Sequence, residues 1–272
     1  MRSSSGSLLT VDTPGYAGPM HVRVDGPADG RVLVLLHGFS GSLHWYDLVV
    51  PFLADTFRLV RVDLLGHGST GGRGADAPVQ AQAVAAVLEQ LDVQDAVAVG
   101  HSFGADVAVE LAERDERITG LVIVTQAPDY TDAVLPRGNR LMTLPVLGQA
   151  MYRSAVPVVI GLGAVGGRLR PAQRQLAARA VADFRALSPA MFRVVLTERR
   201  ARMTRRPLDA QVRASGKPTL VILGERDHFY GARSAPRYRA AGAQVEILAE
   251  SGHSPLVEFP EQTARLITDF AR

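Results

Sequence analysis

Three residues that can together carry acyl-group chemistry each close an apolar run of the 272-residue chain. Ser102 stands in Gly100-His101-Ser102-Phe103-Gly104, Asp227 ends TLVILGERD, and His253 ends VEILAESGH. A serine hydroxyl is inert at neutral pH until a base removes its proton, and that base must be held in one orientation by an acid. The order Ser, Asp, His is the one expected when the serine sits on a sharp strand-to-helix turn. Side chains at positions 100 and 104 would collide in such a turn, so glycine lets the backbone close and lifts the hydroxyl clear. The same turn aims the Phe103 amide, at the start of helix 103–113, at whatever Ser102 attacks, which is half of an oxyanion site.

The elements around these residues read as strands alternating with helices. RVLVLLHG (31–38), FRLVRVDLLGHG (57–68), AVAVGHS (96–102) and ITGLVIVTQAP (118–128) are apolar runs, and LHWYDLVVPFLA (43–54) and PVQAQAVAAVLEQL (78–91) have helical spacing. Continuous rather than alternating apolar strands imply burial on both faces, hence a mostly parallel central sheet flanked by helices in an α/β fold. From about 131 to 214 the segments are Ala/Arg-rich and helical, as in RPAQRQLAARAVADFRAL (170–187). KPTLVILGERD (217–227) and AQVEILAESGH (243–253) return to strand form, and PEQTARLITDF (260–270) closes the chain as an amphipathic helix. Ser102, Asp227 and His253 thus share the C-terminal edge of the sheet, where sites collect.

Composition narrows the chemistry. With 47% hydrophobic residues the chain can bury one large core, and with no Cys it forms neither disulfides nor thiolate zinc sites. No secretory signal is legible at the N-terminus and no stretch reaches the length of a membrane span, so a cytoplasmic location is expected. Net charge is only +3, but residues 131–216 hold fifteen Arg against Asp132, Asp183, Glu198 and Asp209. Arg199, Arg200, Arg202, Arg205 and Arg206 cluster there. Such a run is ordinarily a solvated helix face; the other reading is a docking surface for an anionic headgroup, coenzyme A, acyl carrier protein or an acidic membrane. Nucleic acid is not expected, because no aromatic residues interleave the arginines.

Five pieces in order, His37-Gly38-Phe39, Asp63-Leu64-Leu65-Gly66-His67-Gly68-Ser69, the Gly-His-Ser-Phe-Gly turn, Gly224-Glu225-Arg226-Asp227 and Ser251-Gly252-His253-Ser254-Pro255, resemble the α/β-hydrolase fold superfamily over nearly the whole chain. The resemblance implies a core domain of 1–130 and 215–272, a helical cap of 131–214 inserted after the sixth strand, and backbone amides of Phe39 and Phe103 as oxyanion hole. It implies a serine esterase acting on a small-molecule ester, lactone or thioester with no cofactor and no metal. Haloalkane dehalogenases and epoxide hydrolases of this fold use Asp as nucleophile, and position 102 is Ser. The alternative is a cofactor-independent C–C hydrolase or lyase, since HGFSGS and DLLGHGS also resemble the menaquinone-pathway lyase of the fold, and a non-catalytic ligand receptor is the third reading. Ala105 stands where many relatives have a second glycine, which would press helix and strand slightly apart.

Several residues keep two readings. Asp227 competes with Asp129, where some relatives place the acid. His37 and His67 sit in glycine turns that shape the cleft, His101 flanks the nucleophile and His228 the acid, while His21 and His44 need no role. Asp63 is read as bonding amides of its own loop. Trp45 and Tyr46 either line the cleft or pack in helix 43–54, and the apolar stretch 141–167 either lines an acyl pocket or packs on the core. Gly161-Leu162-Gly163-Ala164-Val165-Gly166 spells GxGxxG with Asp183 downstream, but Pro157 interrupts the strand it needs and no βαβ unit surrounds it.

Overall fold

The computed structural model describes residues 6–131, 171–230 and 232–272, the backbone alone at 171–178. The GxGxxG stretch and the apolar stretch 141–167 lie outside the described residues. Eight strands, β1 (Ser7–Thr13), β2 (Tyr16–Asp25), β3 (Val32–Leu36), β4 (Arg58–Val62), β5 (Ala96–His101), β6 (Ile118–Val124), β7 (Thr219–Gly224) and β8 (Gln244–Leu248), form one sheet in the order β1-β2-β4-β3-β5-β6-β7-β8. β1 pairs antiparallel with β2 and β2 with β4; every other pairing is parallel.

Because side chains alternate across a strand, each central strand feeds two cores. Leu33, Leu35, Val97, Val99, Val122, Val124, Leu220 and Ile222 pack against Tyr46, Leu53 and Ile267 on one face. Val34, Leu36, Ala98, Leu121, Ile123, Val221 and Leu223 pack against Val84, Leu88, Val107, Leu111 and Tyr238 on the other. The covering helices on that second face are α2 (Ala77–Gln90), α3 (Phe103–Arg114), α7 (Leu208–Ser215) and α8 (Ala235–Ala240); α1 (Val50–Leu53) and α10 (Pro260–Ala271) cover the first. This is the doubly covered, mostly parallel sheet that the apolar runs imply.

Two elements differ from expectation. The helix read over 43–54 is a 3₁₀ turn, Leu43–Tyr46, followed by the single turn α1. Pro51 has no N–H to donate to the preceding turn, and Tyr46 is drawn inward, its hydroxyl donating to the Leu36 and Val99 carbonyls. The β1–β2 hairpin was not expected; it turns at Pro14-Gly15 between paired Thr13 and Tyr16. Between β6 and β7 the described residues are helical: α4 (Pro171–Ala186), α5 (Ala190–Arg193), a π-helical turn at Val194–Glu198, α6 (Arg199–Arg205) and α7. Among the described residues no helix is long and apolar enough to cross a membrane.

Candidate active site

The turn from β5 into α3 is as tight as its glycines suggest. A Cβ on Gly100 would lie 2.3 Å from the Gly104 carbonyl oxygen, and one on Gly104 would lie 2.1 Å from that of Leu36. No side chain fits between the helix and the strands beneath it. Ser102, between them, has φ 50° and ψ −121°, a conformation costly for any residue but glycine. Its amide donates to the Val124 carbonyl at 2.9 Å, which pins the strained residue to the neighbouring strand. Ala105 is fully buried in the core between α3 and the sheet.

Beyond β7 and β8 the chain delivers the two partners. The Ser102 hydroxyl lies 3.1 Å from His253 Nε2, and His253 Nδ1 lies 2.8 Å from Asp227 Oδ2. The other carboxylate oxygen, Oδ1, accepts from the Phe229 amide at 2.8 Å and the Tyr230 amide at 3.4 Å. Burial pushes the Asp227 carboxyl up, but the hydrogen bond and charge of His253 together with those amides outweigh it and hold it below the usual carboxylate range. An ionised Asp227 fixes the tautomer with Nδ1 protonated, which leaves Nε2 to face the serine. Gly224 permits this meeting: a Cβ there would sit 2.0 Å from the Gly252 carbonyl oxygen.

Phe103 opens α3 directly after Ser102, and Phe39 follows Gly38, on which a Cβ would lie 3.1 Å from Ser102 Cβ. Neither amide enters a backbone hydrogen bond among the described residues, and the first amides of a helix have no intrahelical acceptor. Around His253 stand Phe229, with its ring centroid 5.1 Å away, and Tyr230 at 5.6 Å; Phe39 meets Phe192 edge to face. Among the described residues, aromatic rings thus stand around His253.

The rival residues separate by contact. Asp129 pairs with Arg237 at 2.9 Å and accepts from the Thr131 amide, so it is not the carboxylate brought to His253. Asp63 accepts from the amides of Leu43 and Ser69 and pairs with His21, as the loop reading expects. His37 donates from Nδ1 to the Gly38 carbonyl and accepts at Nε2 from the Leu64 amide, locking the two glycine turns together. His67 is buried and pushed down to about 3 by burial and by neighbouring His37, so it stays neutral. Tyr46 is wholly internal, whereas Trp45 is partly exposed and lies 6.4 Å from His101. Glu258 carries no spacing signature, yet its carboxylate takes the Gly252 amide at 2.6 Å and the Ser254 amide at 2.9 Å, bracketing His253.

Two members of the arginine cluster, Arg199 and Arg202, are buried in ion pairs rather than solvated. Arg199 is 2% exposed and bonds both oxygens of the fully buried Asp106, at 3.0 and 3.1 Å. Arg202 bridges Asp76 at 2.8 Å and Asp106 at 3.0 Å, and Arg206 pairs with Glu113. Acidic side chains of α2 and α3, distant in sequence, neutralise them from below. Arg200, Arg205 and Arg206 remain on the surface, as a solvated face would have them.

Comparison with known proteins agrees with this geometry. The chain is 28% identical over 272 residues to a protein of Nitrosospira multiformis named pimeloyl-[acyl-carrier protein] methyl ester esterase, covering 94% of this chain and all of that one. Among solved structures, a hydrolase from Pseudomonas aeruginosa PA01 superposes with TM-score 0.78 at 25% identity over 99% of both chains. An esterase from Rhodococcus sp. ECU1013 superposes with TM-score 0.69 at 25% identity over 99% of this chain and 98% of its own. The alpha/beta hydrolase family profile matches residues 33–266, and with the sheet order and the serine turn already described, the chain belongs to that family.

Proposed function

We propose that this protein is a serine hydrolase that cleaves a carboxylic ester, lactone or thioester through Ser102, His253 and Asp227. The observation that carries this reading is the unbroken hydrogen-bonded line from hydroxyl to imidazole to buried carboxylate at the C-terminal edge of the sheet. Ser102 Oγ attacks the acyl carbon as its proton passes to His253 Nε2, and the carbonyl electrons move onto oxygen, where the amides of Phe39 and Phe103 receive them. The tetrahedral species collapses, and the imidazolium protonates the departing alcohol or thiol. Water then gives its proton to His253 and attacks the acyl-enzyme; breakdown returns the acid and a protonated Ser102. Asp227 holds the ring and stabilises its positive charge without taking the proton. Every step uses the chain, the substrate and water.

The aromatic surroundings of His253 favour an apolar acyl or alkyl group over a polar one. Residues 131–214 act as a cap over the site in this reading, with α7 better grouped with the core because it lies against α3. The relatives named for a methyl ester carried on acyl carrier protein make an ester on such a carrier the first substrate to try. Of the clustered arginines, Arg200, Arg205 and Arg206 are the ones exposed for that contact, Arg206 while paired with Glu113. HGFSGS and DLLGHGS, which suggest the lyase, serve here as loop scaffold through His37 and Asp63, so they do not select elimination over hydrolysis.

The test is turnover of p-nitrophenyl acetate and butyrate together with fluorophosphonate labelling. Wild type is expected to hydrolyse both and to be labelled at Ser102, and Ser102→Ala to do neither. Labelling elsewhere overturns the assignment. Pyruvate release from an enolpyruvyl-bearing succinyl-cyclohexene, leaving the succinyl-cyclohexadiene, without ester turnover indicates the lyase, and ligand binding without any turnover indicates the receptor.

A further inference from the structure

We propose that Thr125 and His101 are positioning residues that clamp the main-chain carbonyl of His253 and thereby set where its imidazole stands; the proposal rests on the serine-hydrolase reading above. Two bonds on the ring fix its tilt, but its distance from Ser102 depends on where the residue 253 backbone lies. That backbone sits in a connection after β8 with no sheet partner of its own. Its carbonyl oxygen accepts two side-chain hydrogen bonds, from Thr125 Oγ1 at 2.8 Å and from His101 Nε2–H at 2.8 Å. Thr125 follows the last residue of β6, and His101 ends β5 immediately before the nucleophile. The pair His101-Ser102 therefore touches residue 253 at both its carbonyl and its ring.

Thr125 shows that this contact is held at a cost. It is fully buried, β-branched, and has φ 48°, in the left-handed region that such residues avoid. Conformations of this kind persist only where the surroundings over-determine them, and they gather at functional sites. Its amide donates to the Ile222 carbonyl at 2.8 Å, so the backbone is fixed from β7 while the hydroxyl reaches the His253 carbonyl. The ends of β5 and β6 thus converge on one oxygen atom, with β7 holding the second in place.

His101 is built to donate without titrating. Its Nδ1 is buried with no hydrogen-bond partner, and a Cβ on Gly38 would lie 2.9 Å from it, so no acceptor fits there. Burial, with the charge of His253 adding to it, pushes His101 down to about 3. The Nε2–H therefore stays in place when the neighbouring His253 becomes an imidazolium during turnover, and the clamp does not open within the cycle.

The experiment measures kcat and KM for p-nitrophenyl butyrate, and the fluorophosphonate labelling rate, in wild type, Thr125→Val, Thr125→Ser, His101→Leu and the Val/Leu double variant. Valine keeps the β-branch and removes the donor; serine keeps the donor. Misplacing a reacting group by about 1 Å costs on the order of 10²-fold, so each single loss is expected to lower kcat by about 10- to 100-fold with KM within about 2-fold. Thr125→Ser should stay within about 3-fold of wild type, and the double variant should lose more than the product of the singles, because the second deletion leaves the carbonyl bare. A folded Thr125→Val with wild-type kcat, or a Thr125→Ser as slow as Thr125→Val, overturns the clamp. If Thr125→Val does not fold, His101→Leu decides by the same criterion. A wild type unlabelled at Ser102 fails the hydrolase reading itself, whereas normal wild-type labelling with unaffected variants fails the clamp alone.

Discussion

Ser102 pays for its exposure with backbone strain, and the strain is useful only if the base beside it is held in one tautomer. Asp227 supplies that, with one oxygen on His253 and the other held by two amides. Asp227→Asn keeps the shape but offers an amide that donates as well as accepts, so the ring is free to turn its protonated nitrogen toward Ser102. The expected result is a fall in kcat on the order of 10³- to 10⁴-fold with KM little changed, read from steady-state ester hydrolysis. Asp227 also contributes to folding. Its carboxyl is held below the ordinary range, so this contribution is complete above that range and is lost as pH falls through the lower folded value. Thermal scans from pH 6 downward should show wild type losing stability faster than Asp227→Asn.

At the scale of elements, the site depends on how closely α3 lies on the sheet. Gly104→Ala would drive a methyl group into the Leu36 carbonyl, and backbone has little room to yield. The helix must lift, taking Ser102 with it, at an expected cost of about 1–3 kcal/mol in urea unfolding and a larger proportional loss of fluorophosphonate labelling. Gly216→Ala, at positive φ but with nothing within 4 Å of its Cβ, strains the chain without moving α3 and should leave labelling intact. The same helix anchors α6 through Asp106. Arg199→Ala removes one of the two guanidinium partners of a buried carboxylate, leaving Arg202, and is expected to cost about 1.5–3 kcal/mol, measured by the same unfolding. What the sequence disclosed follows this division. Strands β3 to β7 were legible because both their faces are buried, the exposed edge strand β8 from its short apolar run before a glycine turn, and Ser102, Asp227 and His253 because each follows a strand beside glycine. Arg199 and Arg202 were misread because their partners lie 93 to 126 positions away, and spacing within the run carries no trace of them. Thr125 and Glu258 were not legible, since both act on main-chain atoms that any residue possesses.

Over the whole molecule, residues 131–216 hold fifteen of the thirty basic residues against four acids, yet the described helices there are joined to the core by acids on both sides. On one side lie Asp76 and Asp106 beneath α6; on the other, Asp183 of α4 accepts from Ser42 at 2.8 Å, beside Arg179 and His44, at a cleft of about 530 Å³. The two acids differ in their surroundings. Asp106 meets two guanidinium groups, whereas burial pushes the Asp183 carboxyl above the ordinary range despite the Ser42 hydroxyl and the charge of Arg179. A carboxyl raised by folding binds its proton more tightly in the native state. Its stability contribution is therefore present below the ordinary carboxylate pKa and is lost as pH rises through the raised value. At pH 8 Asp183 is a buried charge incompletely compensated. Asp183→Asn keeps an oxygen for Ser42 and removes that charge, so its melting temperature should exceed that of wild type by about 1–3 °C at pH 8. The difference should shrink as pH falls toward the ordinary carboxylate range, where wild type takes up its proton. Calorimetry of both proteins at pH 8 and below tests this, and a variant less stable than wild type at pH 8 would mean that the attraction of Asp183 to Arg179 outweighs its burial, making it an ionic latch between α4 and the core.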